Sequence, residues 1–123
     1  MGQSTRQRNM VARIPYIPDR GDLVWVNFNP QRGHEQAHQR PAVVLSPKSY
    51  NIKSSLALMC PITAHAKGYP FEIALDAADI AGVILSDQVR SLDWRARRVT
   101  FIQRLKPETL IEVQERIVQL VTE

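Results

Sequence analysis

Gly33-His34-Glu35-Gln36-Ala37-His38-Gln39-Arg40-Pro41-Ala42-Val43-Val44-Leu45-Ser46-Pro47 admits two readings that lead to different folds and different chemistry. His34 to His38 fits the His-Glu-x-x-His pattern of zinc proteases. That pattern needs a helix, because only helical i, i+4 spacing brings both imidazoles to one metal with the glutamate beside its water. Here Gly33 directly precedes the pattern, Pro30 stands four residues before His34, and Pro41 follows His38 by three. Pro41 pushes Arg40 out of helical angles. Between Gln31 and Arg40 the one apolar residue is Ala37, so no face could anchor a helix to a core. The stretch therefore reads as a polar loop, Asn29 to Gln39, that runs into a short buried strand, Pro41 to Ser46. Glu35 and Arg40 lie five residues apart along it. No metal site is expected, and His34 and His38 read by default as solvated loop residues.

Upstream, Asp19-Arg20-Gly21-Asp22 is a turn and Leu23 to Phe28 a strand. Val24, Val26 and Phe28 share one face of it, Leu23 and Trp25 the other. Ile14 to Pro18 is an extended lead-in. Residues 1–14 read as a flexible basic arm, which leaves 15–123 as a single domain. Downstream come a loop from Pro47 to Ser55 and a strand from Leu56 to Thr63. A turn at Lys67-Gly68-Tyr69-Pro70 leads to a short strand, Phe71 to Leu75, and Asp76 to Ala81 reads as a turn of helix or a connector. Gly82 to Leu85 opens a strand that continues through Asp87 to Ser91. Leu92 to Arg97 is compact and irregular, and Val99 to Leu105 is a last strand. Short strands at this spacing predict a small antiparallel barrel. The end differs. Pro107 takes the favoured first-turn position and Glu108 suits the positive helix terminus. Leu110, Val113, Ile117, Leu120 and Val121 then recur at helical spacing, which predicts an amphipathic helix packed on the barrel. The fold class is mainly β with α.

Length and composition bound the function. At 123 residues the chain makes one domain, and eight prolines argue against an all-helical one. The longest unbroken apolar run, Leu56 to Cys60, is far too short to span a membrane. The polar, basic N-terminus has no apolar core and is not a secretory signal. The one cysteine, Cys60, excludes an internal disulfide and suits the cytoplasm; its apolar neighbours make it a core residue rather than a nucleophile. A net charge of +4 and a pI near 9.6 favour an anionic partner. The sharper signal is clustering: Arg90, Arg95, Arg97, Arg98, Arg104 and Lys106, offset locally only by Asp93.

RNA is an anionic partner that carries its own nucleophile, the 2′-hydroxyl. A protein needs only to take that proton, stabilise the extra negative charge and protonate the leaving 5′-oxygen. Arg40 suits the charge role, because a guanidinium stays protonated and grips phosphate bidentately. It also ends a loop and begins a rigid strand. Glu35 could accept the proton, and Thr63 could bind phosphate at the end of its strand. Gln88 sits among apolar neighbours, which suggests an inward amide that holds RNA or satisfies backbone. Trp25 and Trp94 could stack bases. Each has a plainer reading: a surface arginine, a solvated carboxylate, a strand-ending hydroxyl, and tryptophans of a core or an interface.

Taken in order, several stretches resemble the MazF/PemK family of toxin endoribonucleases, most closely its MazF branch. They are Gly21-Asp22-Leu23-Val24-Trp25-Val26 with Phe28-Asn29-Pro30, Gly33-His34-Glu35-Gln36, Arg40-Pro41-Ala42-Val43-Val44-Leu45-Ser46 and Pro61-Ile62-Thr63. Lys67-Gly68-Tyr69-Pro70-Phe71, Gly82-Val83-Ile84-Leu85, Asp87-Gln88-Val89-Arg90-Ser91 and Leu92-Asp93-Trp94-Arg95-Ala96-Arg97 follow. The resemblance covers about Tyr16 to Val121. It implies a small SH3-like barrel of the CcdB/PemK type with a C-terminal helix, acting as a homodimer. It implies cleavage of single-stranded RNA without metal or cofactor, leaving a 2′,3′-cyclic phosphate and a 5′-hydroxyl. It implies a MazE-like antitoxin whose acidic flexible tail fills the RNA groove. Carried over by residue, Arg40, Thr63 and Glu35 are the catalytic candidates and Gln88 the substrate-contacting glutamine. Asn29 and His38 of the loop, with Arg90 and Arg97 of the basic cluster, complete the expected RNA contacts. The PemK branch has an arginine two positions before its Asp-Gln pair, where this chain has Leu85, so the charge work falls to Arg40. CcdB toxins share the fold and poison gyrase instead, so a non-enzymatic binding module is the alternative, and the zinc protease a remote one.

Overall fold

The computed structural model describes residues 16–28, 39–77 and 80–123. The basic arm of residues 1–14, and with it Asn29, His34, Glu35 and His38 of the long loop, lie outside the described residues.

Seven strands form one antiparallel sheet that curls into a half-barrel. They are β1 (Asp22–Asn27), β2 (Gln39–Val44), β3 (Leu56–Thr63), β4 (Glu72–Asp76), β5 (Ala81–Leu85), β6 (Arg90–Asp93) and β7 (Thr100–Arg104). The order is β4-β5-β3-β2-β1-β7, with β6 paired to β3 off that path. β3 is the hub. One edge pairs with β2 from Met59 to Pro61, while the other pairs with β6 along Leu56 to Met59 and with β5 at Ile62 and Thr63.

Successive strand residues point to opposite faces, and here both faces are covered. Leu23, Val43, Cys60 and Ile62 belong to one core, with Ile73, Ile84 and Val113. Val24, Val26, Ala42, Val44, Ala57 and Met59 belong to the other, with Leu92, Trp94 and Val99. Each fully buried Val, Leu or Ile contributes about 1.5–3 kcal/mol, so strands apolar on both faces hold the sheet without need of a disulfide. The lead-in is pinned polarly: the Tyr16 hydroxyl donates to Asp22, which also accepts from Arg104 at 2.8 Å. Burial, and then the neighbouring Asp22, raise the Tyr16 phenol above its ordinary range.

Three expectations need correction. Pro47 to Ser55, read as a loop, contains helix α1 (Lys48–Ser54). Its polar sequence has no apolar stripe, and it is held instead by distant partners. Asp19 Oδ1 accepts the Lys48 amide at 2.8 Å. Asn51, fully buried, donates to the carbonyls of Pro18 and Ser46 at 2.7 and 3.1 Å. Second, the strand expected from Gly82 through Ser91 is two strands. β5 and β6 meet β3 in registers that one continuous strand could not hold, and the chain between them turns out of the sheet. Ser86 fixes the break, its amide and hydroxyl both donating to the Phe71 carbonyl. Third, the C-terminal helix α2 (Pro107–Thr122) packs over only part of its predicted face. Val113 is buried with Leu110 and Ile117 beside it, but Leu120 and Val121 are 54% and 76% exposed because the helix runs past the edge of the core. No helix among the described residues is long and apolar enough to cross a membrane.

Candidate active site

Register sets the two principal candidates on neighbouring strands. Arg40 of β2 pairs with Val26 of β1, and Thr63 of β3 pairs with Val83 of β5. β2 and β3 pair at Ala42 and Pro61. Arg40 and Thr63 lie two residues beyond that last pair on neighbouring strands, with the same alternation as Ala42 and Pro61. Arg40 is exposed and Thr63 half-buried. Twenty-three residues separate the two in the chain, so their place on neighbouring strands was not legible from sequence.

β5 approaches β3 very closely here. Gly82 has φ of 152°, and a Cβ at that position would meet the Thr63 carbonyl oxygen at 2.3 Å. The Thr63 Oγ1 accepts the His65 amide at 3.1 Å. With that lone pair occupied, the hydroxyl proton is free to be donated to a bound anion.

Thr63 also lines a groove of about 420 Å³ together with Gln88. Its walls come from His65, Lys67 and Tyr69 of the β3–β4 connection, and from Phe71, Glu72 and Leu85 at the strand ends. Glu72 organises one wall: its carboxylate accepts the Lys67 amide at 3.0 and 3.1 Å and the Gly68 amide at 2.9 Å. The Tyr69 and Phe71 rings stack beside it, centroids 5.3 Å apart. Gln88 is exposed at the turn between β5 and β6, not directed inward as its apolar neighbours suggested. The break in the strand is the reason, because it lifts Gln88 off the sheet and onto the groove.

The basic cluster divides by task. The Arg90 guanidinium lies 5.4 Å from the Phe28 ring centroid, and Arg97 Nη1 donates to the Phe28 carbonyl at 3.1 Å. Both therefore converge on the residue from which the long loop departs. Arg104 is committed to the buried Asp22 and serves the fold. Trp94 is core, its indole N–H donating to the Asn51 carbonyl at 2.9 Å, while Trp25 is partly exposed on β1. Cys60 is buried, and burial, with Asp87 adding, pushes its thiol up to about 12. It is a core residue, as its neighbours indicated, and no nucleophile at neutral pH.

The reading from sequence missed His65, Lys67 and Tyr69 as groove residues. A signal was present for His65, two positions beyond Thr63 as its strand ends. Among the described residues, no group of three His, Cys, Asp or Glu side chains is placed to hold a metal ion. The His34-Glu35-His38 pattern lies outside them.

Residues 19–121 match the family model for the PemK-like, MazF-like toxin of type II toxin-antitoxin systems. Over 108 residues the chain is 50% identical to the endoribonuclease toxin MazF of Escherichia coli K12, covering 88% of this chain and 96% of that protein. It resembles the crystal structure of MazF from Deinococcus radiodurans at a TM-score of 0.79 and 48% identity, covering 89% of this chain and all of that one (100%). A chain of a MazE–MazF crystal structure from the same organism matches at a TM-score of 0.79 and 43% identity, over 88% of this chain and 98% of that chain. A curled antiparallel half-barrel with a C-terminal helix is thus an architecture this chain shares with a class of bacterial toxins. The chain belongs to the PemK/MazF toxin family of type II toxin-antitoxin systems.

Proposed function

We propose that the chain is the toxin of a type II toxin-antitoxin system and cuts single-stranded RNA, messenger RNA in particular, at specific sequences without a metal ion. One observation carries the reading: Thr63 lines a groove with Gln88, and Arg40 stands on the neighbouring strand β2, two residues beyond the last β2–β3 pair. The 50% identity to an E. coli endoribonuclease toxin supports it.

In this mechanism the 2′-oxygen attacks the adjacent phosphorus as the bond to the 5′-oxygen breaks. The products are a 2′,3′-cyclic phosphate and a 5′-hydroxyl. Arg40 neutralises charge growing on the non-bridging oxygens, and Thr63 donates its hydroxyl proton to one of them. Both act in the transition state more than in the ground state, which is what accelerates the step. Glu35, from the loop between β1 and β2, takes the 2′ proton. Gln88 holds the RNA in the groove. Arg90 and Arg97 guide its backbone past the loop that carries Asn29 and His38. The same cationic face receives the acidic tail of an antitoxin, whose flexibility suits a long groove. The toxin acts as a homodimer in the cytoplasm.

The test is incubation of the purified protein with a long single-stranded RNA in excess EDTA, followed by mapping of the fragment ends. Discrete cuts ending in cyclic phosphate and 5′-hydroxyl are expected from the native protein. A folded Arg40→Ala variant should make none, because the change removes transition-state charge and leaves packing intact. Intact RNA beside altered DNA supercoiling would replace this reading with a gyrase-binding module. Cleavage that EDTA abolishes would replace it with a metal-dependent nuclease.

A further inference from the structure

We infer that His65 is the general acid of the cleavage, delivering the proton that the departing 5′-oxygen requires. This rests on the ribonuclease reading above. An alkoxide leaves poorly unless it is protonated as the phosphorus–oxygen bond breaks. Among the described residues already given roles, none meets that need. A guanidinium holds its proton at all ordinary pH values, a hydroxyl is a very weak acid, and an amide has no acidic proton to transfer.

The groove holds four further titratable side chains among the described residues: His65, Lys67, Tyr69 and Glu72. The Glu72 carboxylate is taken by the Lys67 and Gly68 amides and fixes the turn. Ammonium and phenol groups as a class release protons only well above neutral pH. Imidazole is the one type of side chain here that both holds and gives up a proton near neutrality.

Position argues for the same residue. The His65 amide is bonded to Thr63 Oγ1 at 3.1 Å, so the imidazole is carried on backbone tied directly to the phosphate-binding hydroxyl. His65 is exposed, and its side chain lines the groove rather than the core. In-line displacement places the entering and leaving oxygens on opposite sides of phosphorus. In the chain Glu35 precedes β2, whereas His65 follows the end of β3, where β3 pairs with β5. The step then balances. The 2′-oxygen–phosphorus bond forms and its proton passes to Glu35. The bond from phosphorus to the 5′-oxygen breaks, and the imidazolium proton passes to that oxygen. Water restores both groups.

The experiment uses a short RNA containing the mapped cut site, made once with the natural 5′-oxygen and once with sulfur at that bridging position. A thiolate leaves without protonation. On the oxygen substrate, His65→Ala and His65→Gln should be slowed about 100-fold or more. On the sulfur substrate both should cut within a few-fold of the native protein. Equal slowing on both substrates would assign His65 to binding and overturn the inference, as would undiminished cutting of the oxygen substrate. Failure of the native protein to cut either RNA would overturn the ribonuclease reading itself, so the two failures are distinguishable.

Discussion

Gly82 controls the site without contributing a side chain to it. At φ of 152°, with the Thr63 carbonyl oxygen 2.3 Å from where a Cβ would stand, no larger residue fits while β5 remains on β3. The atom it would strike is backbone, so relief must come from movement of a strand. Gly82→Ala is therefore expected to move Thr63, and misplacement by about 1 Å costs on the order of 100-fold in rate. The strained backbone adds about 1–3 kcal/mol of destabilisation. RNA cleavage and thermal melting of the variant check both effects. Full activity would mean that close β3–β5 contact does not set the threonine. At this scale Arg40 and Thr63 were legible in the sequence as residue types at strand ends. Their place on neighbouring strands was not, because it depends on which strands pair and in what register. His65 was overlooked although it stands two positions beyond Thr63, because only the folded chain shows that this stretch forms a groove wall.

At the scale of elements, α1 is the most instructive. Pro47 precedes it, no side chain of its own caps it, and its last turn closes on Ser55 in the left-handed conformation. Seven residues are too few for a stable isolated helix. Its partners are remote. Asp19 caps it across 29 positions, and chiefly through that Lys48 amide its carboxyl is held below the usual carboxylate range. Whatever stability this lends is present above the ordinary carboxylate value and is lost as pH falls through the lowered one. Asn51 does more. Besides its two carbonyl partners it accepts the Ser46 hydroxyl at 2.6 Å, and that hydroxyl accepts the Leu58 amide of β3. Asn51→Ala strands several buried polar groups at about 1–3 kcal/mol each. A total loss of roughly 3 kcal/mol, or about 10 °C in melting temperature, is expected from chemical and thermal denaturation. A loss under about 0.5 kcal/mol would mean that the network adapts without its amide. By contrast β1, β3 and α2 were legible directly, since their apolar periodicity is local.

Over the whole molecule, charge placement separates fold from function. The net charge of +4 is modest. Arg104 is spent on Asp22, while Arg90 and Arg97 gather where β1 gives way to the loop and Arg40 stands at the start of β2. If these three contact phosphates, log K for a single-stranded RNA should fall against log salt with a slope of about −2. Arg90→Ala should flatten that slope by about 0.7 while leaving the fold intact. Binding by a catalytically dead Arg40→Ala protein needs one contact fewer in the prediction, and fluorescence anisotropy at several salt concentrations measures it. A flat response would remove the cationic face from the account of binding.

The sequence by itself determined that this is a small, mainly β domain with a C-terminal amphipathic helix, because alternation and helical periodicity are properties of neighbouring residues. Through ordered motifs it also determined the toxin family. Only the tertiary structure decided that α1 exists, that one expected strand divides in two to expose Gln88, and that Arg40 and Thr63 stand on neighbouring strands. Each of those rests on hydrogen bonds and registers between residues far apart in the chain, and no local pattern encodes them.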